Sequence, residues 1–126
     1  MSSGQQQTGD WAQNKPGAKK NLFVDAETAL HGMQEIVGRK WHPVVLHYLL
    51  TDGSLSFSTL KKRVDGISSK MLSTSLSDLE DRGLVTRDVL SEQPVRVEYT
   101  LTDRGESLEP LITEMVHWAS EHEGGR

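Results

Sequence analysis

Residues 68–105 read SSKMLSTSLSDLEDRGLVTRDVLSEQPVRVEYTLTDRG, and within this stretch one periodicity gives way to another. Leu72, Leu76 and Leu79 recur at i, i+4 and i+7, the spacing of a single helical stripe. Ser68 is placed to cap that helix and Gly83 to end it. From Leu84 onward the pattern becomes two runs of Val, Leu and Thr, broken at SEQP (91–94) and closed by TLTDRG (100–105), which reads as a β-hairpin. The helix face opposite the leucines carries Ser69, Lys70, Ser73, Thr74 and Ser77. A helix exposed only for stability would favour Glu, Lys, Gln and Ala, whose helix propensities exceed those of Ser and Thr. Short hydroxyl groups instead let a helix come close to another surface. Lys70 lies near the helix N-terminus, where the dipole disfavours a cation unless an anion is nearby.

Upstream, the pattern is helical. Asp25 is a plausible N-cap for AETALHGMQEIVG (26–38), which sets Ala29, Leu30, Met33, Ile36 and Val37 on one face. In HPVVLHYLLTDG (42–53), Pro43 suits a first turn, and Val44, Val45, Leu46, Leu49 and Leu50 are apolar on nearly all sides, as expected of a central helix. SFSTLKKRVDGI (56–67) gives a short helix with Phe57, Leu60 and Val64 inward, ended by Gly66. Its Lys61, Lys62 and Arg63 point to solvent, as phosphate contacts or as a solvated face.

Downstream of the hairpin, a helix capped by Thr102 places Leu108, Leu111, Ile112, Met115, Trp118 and Ala119 on one amphipathic stripe, with Pro110 as a kink or a break. A lone hairpin is marginal in water, so Leu84, Val85, Val89, Val97, Tyr99 and Leu101 are expected to pack it against the helices. Arg96 is the natural tip residue, whereas Arg87 reads either as a further DNA contact or as the partner of Glu98 across the strands. The expected fold is α+β and mostly α: a winged helix-turn-helix domain with a two-stranded wing (about 90–97), a recognition helix (about 68–82) and a C-terminal dimerisation helix.

The 126 residues suffice for one domain with a tail. Residues 1–21, rich in Gln, Gly, Ser and Lys, read as a disordered arm, with ordering on DNA or a partner through Lys15, Lys19 and Lys20 as the alternative. Residues 22–122 form the domain, and 123–126 a flexible end. The net charge is −4, yet residues 57–104 hold eight basic and eight acidic side chains, so the acidic excess sits in the last segment. A locally basic face in the middle is compatible with that balance. No apolar run approaches the roughly 20 residues of a membrane span and no signal peptide opens the chain, so a soluble, cytoplasmic protein is expected, with no membrane partner. The absence of cysteine excludes disulfides, thiolate metal sites and thiol switches.

The five histidines do not suggest a metal site. His42 and His47, like His117 and His122, are five apart, which points them in different directions on a helix, and no HExxH is present. Trp41 and Trp118 read as core or dimer-seam aromatics. No phosphate loop, nucleophile elbow or isolated carboxylate pair argues for an enzyme. No cofactor is expected.

Three segments then bring a family into view. GRKWHPVVLHYLL (38–50), FSTLKKRVDGISSKMLSTSLSDLEDRGLVTR (57–87) and PVRVEYTLTDRGESLEPLITEMVHWASEH (94–122) closely resemble the HxlR-type winged-helix transcriptional regulators, relatives of the MarR group. The most specific pieces are Lys40-Trp41, GISSKML, LSDLEDRGLVTR and PVRVEYTLTDRG, within a similarity from about Thr28 to His122. The resemblance implies a prokaryotic homodimer, joined by its first and last helices through Leu30, Met33, Leu111, Met115 and Trp118, on a palindromic site in double-stranded DNA. It implies that Ser69, Lys70, Ser73 and Thr74 meet base edges or phosphates, with Arg96 as the wing contact, while Ser77 on the same face and Lys61 and Lys62 on the preceding helix are further candidate DNA contacts by their placement. Two departures stand out. Many members carry arginines where this chain has Ser75 and Ser77, and redox-sensing members carry a cysteine near the position of Thr28. An unidentified small-molecule effector, held between the first, second and last helices, is the remaining partner the arrangement allows. The competing reading is a winged-helix module for protein contacts without specific DNA binding.

Overall fold

The computed structural model describes residues 25–123. The disordered-arm reading of residues 1–21 therefore lies outside the described residues, as does most of the expected flexible end at 123–126. The chain divides into two units, Met1–Glu35 and Ile36–Arg126.

Among its described residues the first unit consists of Asp25 and most of helix α1 (Ala26–Val37). Asp25 caps it, accepting the Thr28 N–H at 2.8 Å, and this bond holds the Asp25 carboxyl below its ordinary range. Leu30, on its apolar stripe, is 69% exposed.

The second unit is built on α2 (His42–Asp52), β1 (Leu55–Ser56), α3 (Phe57–Arg63), α4 (Ser69–Asp81), β2 (Val85–Glu92), β3 (Val95–Leu101), α5 (Asp103–Glu106) and α6 (Glu109–His122). Val45, Leu46 and Leu49 of α2 are buried, as a central helix requires. They share the core with Leu60 and Val64, with Leu72, Leu76 and Leu79 of α4, and with Leu84, Val85, Tyr99 and Ile112. Each fully buried leucine contributes about 1.5–3 kcal/mol of transfer free energy.

Local chemistry sets the helix ends. Ser56 accepts the Thr59 N–H at 3.1 Å and Ser68 the Met71 N–H at 3.0 Å, each removing one orphan donor from a first turn. After α4 the chain reverses through Gly83, whose φ of 74° is reached without strain only by glycine.

The sheet has three antiparallel strands in the order β1-β3-β2, one more than the expected hairpin. The third is the two-residue β1, where Leu55 faces Tyr99 and Ser56 faces Glu98. Two expectations for the hairpin are corrected. Val89 does not pack against the helices: it is 47% exposed, because only Val85 of β2 is buried and the strand runs beyond the core. Arg87 does not pair with Glu98, since the register sets Arg87 opposite Tyr99 and Asp88 opposite Glu98, and alternation puts Arg87 and Glu98 on opposite faces. A bulge at Leu90 precedes the turn at Gln93-Pro94, a cis peptide.

The last helix is also interrupted. Thr102 accepts the Gly105 N–H at 3.0 Å and so caps only the four-residue α5. Pro110 cannot donate to the carbonyl of Glu106, and α6 begins one residue before it.

Candidate nucleic-acid interface

Helix α4 is a scaffold with two unlike sides. At about 100° per residue, its buried Leu72, Ser75, Leu76 and Leu79 define one side, and Lys70, Thr74 and Ser77 run along the centre of the other. Ser69 and Ser73 form the neighbouring row. All five predicted contact residues of this helix are exposed and together. Of the two serines that replace family arginines, Ser75 is turned into the core and only Ser77 reaches the surface.

Charge is graded along the helix. Lys70 lies in the first turn, whereas Glu80 and Asp81 close the last, with Asp81 in line with Lys70, Thr74 and Ser77. A polyanion is therefore favoured at the first two turns and repelled at the end.

The flanking cations are distributed on both sides. Lys62 is exposed and Lys61 half-buried in the last turn of α3, while the neighbouring Arg63 is taken by the carboxylate of Asp52. Arg96 is exposed at the start of β3, opposite Ser91 and beside the turn. With Ser56, Ser58, Phe57, Val95 and Val97 it lines a groove of about 380 Å³ between the wing and the start of α3. The Ser58 hydroxyl and the Arg96 guanidinium there can bind a phosphate oxygen, whereas the Ser56 hydroxyl donates to Thr59 Oγ1.

Sequence reasoning missed a polar link behind this surface. His42, only 3% exposed, sets Nε2 2.7 Å from Oδ2 of Asp78, and Arg82 donates from Nε to the same oxygen at 2.8 Å. These two hydrogen bonds, Arg82's foremost, hold the Asp78 carboxyl below its ordinary range. An ionised carboxylate can only accept, so Nε2 of His42 is the donor. Its Nδ1 is buried without a partner. Asp78 stands 36 residues from His42, beyond any local pattern. Among the described residues no cluster of three or more His, Cys, Asp or Glu is arranged to hold a metal ion.

The predicted dimer residues also lie at the surface of the single chain. Leu111, Met115 and Trp118 are exposed on α6, with Trp118 stacked on His122 at 4.4 Å between ring centres. Leu30 is exposed and Met33 half-buried on α1. Trp41 is half-buried, with the Lys40 ammonium 4.9 Å from its ring centre. An open groove of about 330 Å³ runs between α2 and α6, lined by Pro43, Val44, His47, Tyr48, Ile112, Met115, Val116 and Ala119. No described helix is long and apolar enough to cross a membrane.

Comparison with known proteins agrees with this geometry. The family model described as HxlR-like helix-turn-helix matches residues 36–125. An uncharacterised HTH-type transcriptional regulator of Bacillus subtilis, YvaP, is 40% identical over 87 residues, covering 69% of this chain and 80% of YvaP. The HTH-type regulator YodB of the same bacterium is 38% identical over 86 residues, 68% of this chain and 76% of its own. In its reduced form, YodB superposes with a TM-score of 0.64 at 33% identity, covering 79% of this chain and 95% of that one. A structure described as a MarR-family transcriptional regulator from Porphyromonas gingivalis W83 gives a TM-score of 0.70 at 31% identity, covering 79% and 97% of the two chains.

Proposed function

The chain belongs to the HxlR-like helix-turn-helix family of transcriptional regulators, and on that premise we propose that it binds a palindromic operator as a homodimer. The observation that carries the reading is the row of Lys70, Thr74 and Ser77, with Ser69 and Ser73 beside it, standing opposite a fully buried leucine stripe. A helix so faced enters the major groove with its first two turns, where hydroxyl groups reach base edges and Lys70 meets a phosphate. Arg96 on the wing, and Lys61 and Lys62 at the end of α3, contact the flanking backbone and supply affinity without sequence information.

Two such helices must be held about one helical turn of DNA apart. The exposed stripe of Leu111, Met115 and Trp118 on α6 supplies an apolar surface for that pairing, and Leu30 and Met33 of α1 are the other side chains proposed to join it. Bound over a promoter, the dimer excludes or recruits polymerase. An effector seated in the groove between α2 and α6 would act by changing the distance between the two reading helices. With no cysteine in the sequence, that control does not use a thiol.

A second reading has one observation in its favour. Leu90 and Val95 at the wing are strongly exposed, and phosphate contact does not need apolar side chains there. A wing used for protein docking would present them to a partner chain.

Selection of genomic fragments by the purified protein separates the two. At about physiological salt, an operator should bind roughly 10³-fold or more above background, as one inverted repeat, and weaken steeply as salt rises. Enrichment of no fragment, with retention that is insensitive to salt, would favour the docking module.

A further inference from the structure

We infer that His42 is a positioning residue of the reading helix, setting through Asp78 the rotation at which α4 presents Lys70, Ser73 and Thr74 to DNA. This inference rests on the DNA-binding reading above for its consequence, but not for its geometry.

The case begins with the choice of residue. His42 is only 3% exposed, and one of its two ring nitrogens has no partner. A side chain needed only to fill space would be apolar, since burying an unpaired polar atom costs about 1–3 kcal/mol. What the imidazole adds is its Nε2–H, 2.7 Å from Oδ2 of Asp78. That oxygen is itself steadied by Arg82 Nε at 2.8 Å, so the acceptor has a fixed position.

Two other fastenings of α4 show what this bond adds. Arg104 donates from Nε to the carbonyl of Arg82 at 3.0 Å, and the Thr102 hydroxyl donates to the carbonyl of Gly83 at 2.6 Å. Both hold the chain where α4 ends. The buried leucines set which side of the helix faces the core, but their contacts lack the directionality of a hydrogen bond and define a small roll less sharply. Asp78 lies about 70° around the axis from the Lys70–Ser77 row, and a hydrogen bond there does oppose it. A roll of about 15° would displace contact atoms some 6 Å from the axis by about 1.5 Å, enough to break the geometry of a hydrogen bond to a base.

The test uses the full chain and three variants. His42→Leu fills the space without the donor. His42→Gln places an amide nitrogen near the position of Nε2 and can donate again. Asp78→Ala removes the acceptor of the same bond from the accessible side, and so remains informative if His42→Leu does not fold. Two quantities are read: the affinity for the enriched fragment against a shuffled duplex of the same length, and amide hydrogen exchange in residues 72–81 against that in the hairpin. His42→Leu and Asp78→Ala should each lower the affinity for the enriched fragment at least tenfold, while affinity for the shuffled duplex changes less than twofold. Exchange in α4 should quicken relative to the hairpin, and His42→Gln should restore most of both. Equal loss on both duplexes, or no loss, with exchange in α4 keeping pace with the hairpin, would overturn the assignment and leave His42 a packing residue. If the unaltered protein failed to distinguish the two duplexes, the operator reading would fall, and the exchange comparison would still decide whether His42 holds α4.

Discussion

The carbonyl oxygen of Leu84 lies 2.2 Å from where a first side-chain carbon at position 105 would sit, so Gly105 alone lets α5 cross the start of the wing. The same carbonyl accepts the Thr102 N–H at 3.0 Å, which fixes the crossing. Neither backbone can retreat without breaking that bond. Gly105→Ala should therefore destabilise the domain by about 1–3 kcal/mol, in the range of overpacked cores. The check is a urea titration, in which the midpoint should fall while the slope is unchanged. A midpoint equal to that of the unaltered protein would mean that α5 does not approach β2 so closely in solution.

Asp78 predicts how the domain responds to acid. Hydrogen bonds from Arg82 and then from His42 depress its carboxyl pKa below the ordinary 3.8. A depressed folded pKa gives a stabilising contribution that is complete above the unfolded value and is lost as pH falls through the folded one. Stability of the unaltered protein should thus decline below about pH 4 with a share owed to this residue. In Asp78→Asn that share is absent: stability at neutral pH should be lower and the acid limb shallower. Urea midpoints measured at a series of pH values test this, and parallel acid limbs for the two proteins would count against it.

How far the sequence could be read differs element by element, and the reason is range. Ser68, Gly83 and the leucine stripe of α4 are local signals, and each stands where the spacing put it. The exposed face with Ser69, Lys70, Ser73, Thr74 and Ser77 follows from the same periodicity. Leu55–Ser56 is too short for any period and becomes a strand only because β3 offers it a partner. The break before α6 turns on one backbone donor that Pro110 lacks, against an apolar stripe that runs on regardless. Charge alone would pair Arg87 with Glu98, but the register, a property of both strands together, decides otherwise. His42 was weighed for its spacing to His47, while its partner lies in another helix.

The division of labour between wing and reading helix can be separated by salt. Arg96→Ala should weaken binding to all duplexes alike and lower the salt slope by about one contact, because a phosphate contact carries no sequence information. Ser73→Ala or Thr74→Ala should leave the slope in place and change which bases are preferred. Both are read from binding isotherms over a range of salt against a panel of single-base variants. If Arg96→Ala altered base preference, or left both affinity and slope intact, the wing would not be holding the backbone.

The exposed stripe of α6 carries the last expectation. Trp118 is 55% exposed in the single chain and meets His122 by stacking within its own helix, so its removal costs the fold little. If the stripe is the seam between two copies, Trp118→Glu would bury a carboxylate against an apolar surface, at a cost of several kcal/mol that no partner offsets. Sedimentation should then show a monomer at concentrations where the unaltered protein is a dimer, with the same far-ultraviolet circular dichroism. Binding to an inverted repeat should fall by about 10²-fold or more, since each half-site loses the effective concentration supplied by the other. Affinity for a single half-site should stay the same, because α4 and the wing are untouched. A variant that stays dimeric would place the seam elsewhere on the surface.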